Sequence, residues 1–238
     1  MVKSILPLVF KNASVRRRGK VLVGPVDFVL TETGFTIVIG PNGSGKTTLL
    51  RLMHGLERLS GGSAKWQAPD PEVRQRQSYV FQSPIMMRRS VRDNLAYPLI
   101  VHGTPKTEAR AQAWEWASRI NLADAFERFA PLLSGGEKQK LALARALIRK
   151  PDVLFLDEPC ANLDGRATRE IEAILREAHA GGTRIVMATH DMGQARRLAS
   201  DVLFLLKGHL HDQGPAAAFF ANPQTPETNA FLNGDIVE

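Results

Sequence analysis

The chain has 238 residues, 44% hydrophobic and 23% charged, values that exclude large-scale disorder and leave room for one substantial core and a small second lobe. Its single cysteine, Cys160, excludes an internal disulfide and a cysteine-based structural zinc site, and suits a reducing compartment. The net charge of +7 is unevenly placed, with 24 basic against 11 acidic residues in 1–150 and 7 against 13 in 151–238, so the first part suits polyanions such as nucleotide phosphates, anionic headgroups or nucleic acid.

The apolar start Val2–Phe10 is broken by Lys3 and Pro7 and lacks the uninterrupted run of a signal peptide. Arg16, Arg17, Arg18 and Lys20 form the tightest basic cluster. No aromatic ladder or base-reading motif accompanies it, so direct nucleic-acid binding is not expected. Phe35, Ile37, Val38 and Ile39 then predict a strand ending at Gly40, and Leu49, Leu50, Leu52, Met53 and Leu56 predict a helix over Thr47–Leu56. Between strand and helix lies Gly40-Pro41-Asn42-Gly43-Ser44-Gly45-Lys46-Thr47, one glycine, four residues, then Gly-Lys-Thr, followed by Thr48. This is the phosphate-loop pattern. Its glycines let successive N–H groups converge on phosphate oxygens, Lys46 neutralises β/γ-phosphate charge, Thr47 ligates magnesium, and the helix N-terminus adds a favourable field.

Gly61-Gly62 and Pro69/Pro71 read as loop punctuation. From 84 to 150 the texture is helical: Ala109, Ala113, Trp116, Ala117 and Ile120 mark one face within Pro105–Ala130 without strand-like alternation. The predicted organisation is therefore one domain over 1–238, with an α/β core from 1–83 and 151–238 and a largely helical insertion at 84–150.

Val153–Leu156 is an uninterrupted apolar strand, as expected at the centre of a sheet covered on both faces. It ends in Asp157 and Glu158. Asp157 is assigned to magnesium and Glu158 to orienting or deprotonating an attacking water. Ile171, Ile174, Leu175 and Ala178 predict a helix resting on the sheet, and Arg184–Thr189 predicts a further strand after Gly181-Gly182. Short strands at Val202–Leu206 and Leu210–His211 precede Gly214-Pro215 and a final helix near Ala216–Ala221. The apolar runs fall far short of the roughly 20 residues of a membrane-spanning helix, so the chain forms no helical pore and serves a membrane, if it does, from its surface.

The motifs taken together resemble the ATP-binding subunit of an ATP-binding-cassette transporter over nearly the whole length. Leu133-Ser134-Gly135-Gly136-Glu137 is close to the family's Leu-Ser-Gly-Gly-Gln signature and stands between the phosphate loop and the Val153–Glu158 strand. The resemblance implies an α/β P-loop nucleotide-binding domain with a helical subdomain, ATP and Mg²⁺ as ligands, and a head-to-tail dimer, a homodimer as the simplest form. Ser134, Gly135 and Gly136 would contact ATP held by the partner. Gln82 would take the place of the lobe-connecting glutamine at magnesium and attacking water. His190 would be the switch histidine that positions Glu158, and Asp164, in Asn162-Leu163-Asp164, would link the two sites. The family's adenine-stacking aromatic has no counterpart in Ser14–Lys20, where Arg18 would stack through its guanidinium plane or Val15 would offer a smaller apolar contact.

The resemblance further implies a permease docking on 82–95, where Ile85, Met86 and Met87 offer apolar contact and Arg88, Arg89 and Arg92 offer charge. It also implies an external substrate-binding protein and a cytoplasmic location at the inner face of the membrane. A short single cassette resembles a prokaryotic importer component, and Val80–Pro84 with Met87–Val91 resembles subunits of tungstate or related oxyanion importers. The competing classes are a DNA-repair or chromosome-organising ATPase, which would carry a long coiled-coil or zinc-bearing insertion, a translation-associated ATPase with paired cassettes, and a regulatory ATP-binding module. Glu158 and His190 argue for turnover over mere binding.

Overall fold

The computed structural model describes residues 4–235 and 237; Met1–Lys3, the first residues of the apolar start, lie outside them. The chain begins with a hairpin of β1 (Leu8–Arg17) and β2 (Lys20–Leu30), then runs through β3 (Phe35–Ile39), α1 (Lys46–His54), β4 (Gly61–Trp66), α2 (Asp70–Arg76) and β5 (Gln77–Val80). The helices α3 (Val91–Val101), α4 (Lys106–Arg119) and α5 (Gly135–Leu147) follow, with two short 3₁₀ turns between α4 and α5. The remainder is β6 (Val153–Asp157), α6 (Gly165–Ala180), β7 (Arg184–Ala188), α7 (Met192–Leu198), β8 (Asp201–Leu206), β9 (His209–Pro215), α8 (Ala216–Ala221) and α9 (Pro226–Asn233).

Two sheets organise the body. The larger has the order β5-β6-β7-β3-β8-β9, parallel except for the antiparallel β9 edge; the smaller is antiparallel, β2-β1-β4. Every residue of β3, β6 and β7 is buried, which is why these strands read as continuous apolar runs and not as alternating ones. One face of the parallel sheet, through Val38, Phe155, Val186 and Leu205, packs on Leu49, Leu50 and Met53 of α1, and the small sheet closes over α1 from the other side. The opposite face, through Ile37, Leu154, Leu156 and Met187, packs on α5, α6 and α7. A third cluster joins Val91 and Leu95 of α3, Ala109, Ala113 and Ala117 of α4, and Leu141 and Ala144 of α5. Small alanines let α3 and α4 approach closely, so this lobe has its own core.

Three local readings change. Residues 61–66 form an edge strand beside β1, and Asp70–Arg76 form a helix that accommodates Pro71 within its first turn, where the missing N–H costs nothing. Ala216–Ala221 is helical but is followed by α9, whose Thr225 side chain caps the N–H of Thr228. Among the described residues no helix is long and apolar enough to cross a membrane.

Candidate functional site

The carboxyl ends of β3, β7 and β6, three adjacent strands, carry the loops that meet in one cavity of about 830 Å³. Ligand sites of open α/β sheets form in this place, where loops leave the strand ends in diverging directions. The cavity is lined by Gly40, Pro41, Asn42, Gly43, Gly45, Lys46, Thr47 and Thr48 on one side and by Gln82, Glu158, Ala161, Asn162 and His190 on the other.

Close packing fixes the loop after β3. Gly40 has φ +147° and a Cβ there would fall 2.2 Å from Leu205 O; Gly45 has φ +105° and a Cβ would fall 2.7 Å from Val23 Cγ2. Both positions therefore need glycine for conformation and for space. Lys46 opens α1, is 6% exposed, and its Nζ donates to Gly40 O at 2.9 Å and Pro41 O at 3.1 Å. Burial pulls its pKa down, and the carboxylates of Glu158 and Asp157 oppose that. Ser44 Oγ is buried without a hydrogen-bond partner. A buried cation, an unpartnered hydroxyl and the free amides of a helix N-terminus together fit a triphosphate.

At the end of β6, Thr47 Oγ1 donates to Asp157 Oδ1 at 2.9 Å and Tyr79 Oη donates to Asp157 Oδ2 at 3.3 Å. Burial raises the pKa of Asp157, while those two hydrogen bonds favour its ionised form. Among the described residues no cluster of three His, Cys, Asp or Glu stands ready for a metal. A divalent ion here would be held by Thr47 and Asp157 together with phosphate oxygens and water, the ligand set expected of magnesium.

Glu158 follows directly, with φ +47°, unusual for a residue with a side chain, and its N–H donates to Ala188 O at 3.0 Å. This kink is a local cost of the kind found at functional sites. His190 Nδ1 lies 3.0 Å from Glu158 Oε2, and Gln82 Nε2 donates toward the same oxygen at 3.5 Å. Glu158 thus faces the phosphate loop with two orienting partners, the arrangement of a base that aligns and deprotonates water.

Other expected site residues stand apart from the cavity. Ser134 caps α5: its Oγ accepts from Glu137 N at 3.3 Å, and Glu137 Oε2 accepts from Ser134 N at 2.7 Å. Gly135 and Gly136 form the first turn behind it. Asp164 caps α6, accepting from Ala167 N at 2.8 Å. None of these four lines the cavity within the same chain. Arg18 sits with φ +50° at the β1–β2 turn, outside the lining, and Val15 is 1% exposed in the core, so it offers nothing to a base. Arg17 is tied to Glu57 at 3.1 Å. The apolar wall is supplied by Leu22 and Phe231, and neither they nor Tyr79 was singled out from sequence. Leu22 sits across the hairpin from the basic cluster, and only packing of the small sheet against Gly45 reveals it. Tyr79 carries a usable signal, since a tyrosine in an apolar strand needs a partner for its hydroxyl.

A second cavity, about 610 Å³, lies between the α/β body and the helical lobe; it is mostly apolar and is lined by Tyr79, Phe81, Pro84, Ile85, Met87, Tyr97 and Val101, among others. Ile85 is 75% exposed at its rim, whereas Met86 is partly buried and packs against both the sheet core and the core of the helical lobe. Arg92 is occupied by Asp93 and Glu127 of its own chain.

The family model described as "ABC transporter" matches residues 23–161. The "L-cystine transport system ATP-binding protein TcyN" of Escherichia coli (strain K12) is 33% identical, the match covering 93% of this chain and 95% of that one. The "Tungstate uptake system ATP-binding protein TupC" of Peptoclostridium acidaminophilum is 39% identical over 82% of this chain and 91% of its own length. The fold is shared with a solved ATP-binding cassette described as dimeric, in a post-hydrolysis state and bound to ADP and Pi: TM-score 0.78, 24% identity, 88% of this chain and 98% of that one.

Proposed function

The chain belongs to the ABC transporter family, and from that premise we propose that it is the MgATP-driven energy-coupling subunit of a prokaryotic importer, working in a pair at the inner face of the membrane. ATP hydrolysis comes with family membership. The observation that carries the reading is the convergence of the Gly40–Thr48 loop, Glu158, Gln82 and His190 on one cavity.

MgATP supplies a phosphoryl group whose transfer to water needs positioning and charge stabilisation more than covalent chemistry. The Gly40–Thr48 amides and Lys46 grip the phosphates, and Thr47 with Asp157 would hold the magnesium ion. Glu158 takes a proton from the attacking water as its oxygen bonds to the γ-phosphorus and the bond to ADP breaks. His190 and Gln82 hold Glu158 in line.

Ser134, Gly135, Gly136 and Asp164 lie outside their own chain's cavity, which supports their use across an interface with a second ATP-binding subunit. The dimeric state of the solved relative supports the same reading. In a homodimer each phosphate loop would face the partner's signature, and closure on ATP would reverse once phosphate leaves.

The 84–150 lobe would transmit that closure to a permease docked along residues 82–95, in the groove of Phe81, Ile85, Met87, Tyr97 and Val101. Cargo would be chosen by the permease and an external binding protein. The 39% identity to a tungstate uptake subunit and the Val80–Val91 pattern support an oxyanion cargo. Co-purification with the permease from membranes, followed by ATPase assays with and without it, tests the coupling. Stimulation of several-fold is expected, and no binding to the cognate permease would point instead to a regulatory or DNA-repair ATPase.

A further inference from the structure

Glu172, on α6, is a buried acid that the hydrolytic scheme does not use. Its side chain is 2% exposed, and its carboxylate accepts from two helices at once. Arg197 of α7 forks onto it, Nη2 to Oε1 at 2.6 Å and Nε to Oε2 at 3.1 Å. Gln194 Nε2, also on α7, donates to Oε1 at 3.4 Å, and Arg176 Nη2, one turn along α6, donates to Oε2 at 3.1 Å. Burial works against the charge, but Arg197, Gln194 and Arg176 together outweigh it, so the carboxyl is held below the usual range.

The cluster is tied to the segment that carries His190. Gln194 N donates to Asp191 Oδ1 at 2.8 Å, and Asp191, the residue after His190, caps α7. Cys160, two residues after Glu158, shares the neighbourhood: burial pushes its thiol up to about 11, and it hydrogen-bonds with Gln194. The helix capped by Asp164 and the helix following His190 therefore meet at one carboxylate, and the loop after Glu158 reaches the cluster through Cys160 and Gln194. α7 has only seven residues; Ala195 and Leu198 seat it on the sheet, and the Glu172 cluster adds a polar tie on its buried side, while the His190 side chain is 61% exposed.

We propose that Glu172 is a positioning residue for hydrolysis: by clamping Arg197 and Gln194 it orients α7 so that His190 stays within hydrogen-bond reach of Glu158. The inference rests on the roles given above to Glu158 and His190. A bidentate arginine–carboxylate fork fixes direction as well as distance, which apolar packing of the same volume does not. Glu172 touches no reacting atom and acts only through His190.

The test separates positioning from stability. Removing one partner of a buried ion pair is ordinarily destabilising, but the Arg197 and Arg176 side chains are about half exposed and can turn to water, so Glu172→Leu should be less stable yet still folded, which its melting temperature checks. Steady-state ATPase of the full chain with Glu172→Leu and Glu172→Gln should show kcat lowered roughly ten-fold or more, because small misplacements of catalytic groups are costly, with KM for ATP within about two-fold. In a His190→Ala background the same substitutions should change kcat little, since the residue they act through is already gone. A folded Glu172→Leu variant with parental kcat overturns the proposal, as does an equal loss of kcat with and without His190. Full activity in both Glu158→Gln and His190→Ala would instead overturn the underlying hydrolytic assignment, and the clamp's proposed role with it.

Discussion

At the scale of single residues, the proposed hydrolysis divides its chemical work between the phosphate loop and the acid after β6. Lys46 is nearly buried among loop carbonyls, and Glu158 is braced by His190 at 3.0 Å. Lys46→Ala removes a preorganised positive charge, and Glu158→Gln removes the proposed proton acceptor while keeping the shape. Each should lower kcat by about 100-fold or more, on the order of 3 kcal/mol of transition-state stabilisation. Circular dichroism of the variants should remain that of the parent, and a turnover within a few-fold of wild type would remove the residue from its role. His54 reports on the other end of the same helix. It lies edge-on to Tyr79 and Phe155, its Nδ1 is buried without a partner, and burial pushes its pKa down to about 4 from 6.5. Below pH 6.5 the unfolded chain binds a proton that the folded chain refuses, so stability should fall as pH drops from about 6.5 to about 4. A shift of that size caps the loss at roughly 3 kcal/mol. Urea titrations at pH 7 and pH 4.5 measure it, and His54→Phe, which keeps the ring contacts without the titration, should flatten the difference.

Elements differ in how plainly their residues announce them. β3, β6 and β7 were readable because strands covered on both faces become solid apolar runs, and the loop between β3 and α1 because its chemistry needs a fixed local pattern. β1 was hidden: its register slips between Phe10 and Ala13, where Asn12 takes φ +48°, and the slip destroys the alternation that marks a half-buried strand. β4 buries none of its residues and exposes half of them, and α2 begins beside two prolines, so both look like loop from sequence. The aliphatic wall at Leu22 was unreadable for another reason, since it exists only once the small sheet lies over α1. A third case is the segment between β5 and α3, where sequence indicates apolar contacts and the structure adds a polar anchor. Asn94, wholly buried on α3, accepts from Met87 N at 3.1 Å and from Arg145 Nη1 at 3.2 Å, and donates to Ser90 O at 2.9 Å. Arg145 of α5 also donates to Ile85 O at 2.8 Å. Asn94→Ala strands several of these groups in the interior, and an unsatisfied buried polar group costs about 1–3 kcal/mol. The variant should lose about 2 kcal/mol or more in denaturant melts; a loss under about 0.5 kcal/mol would show that the anchor contributes only locally.

Across the whole molecule, the two cavities share the strand and loop that connect them. Tyr79 contacts Asp157 beside the phosphate loop and also lines the apolar groove, and Gln82, three residues on, reaches Glu158. On the proposed function, a change in how Glu158 and Gln82 are held at the nucleotide would pass over a few residues to Phe81, Pro84 and Ile85 at the groove. The groove joins the two lobes, with Tyr79 and Phe81 from the body and Tyr97 and Val101 from α3, so any rotation of the helical lobe changes its width. An apolar permease segment seated there would feel ATP binding as a change in fit, and its seating would in turn bias the lobe, because coupling between two sites is reciprocal. Ile85, three-quarters exposed at the rim, is the side chain best placed to test this without disturbing the fold. Ile85→Glu sets a charge against an apolar partner, and desolvating it costs more than most interface contacts return. Co-purification with the permease should fall at least ten-fold and permease-dependent ATPase stimulation should vanish, while ATP binding by the isolated chain provides the reference for intact folding. If stimulation survives Ile85→Glu at parental level, the groove is not where the permease sits, and coupling must run through another surface of the helical lobe.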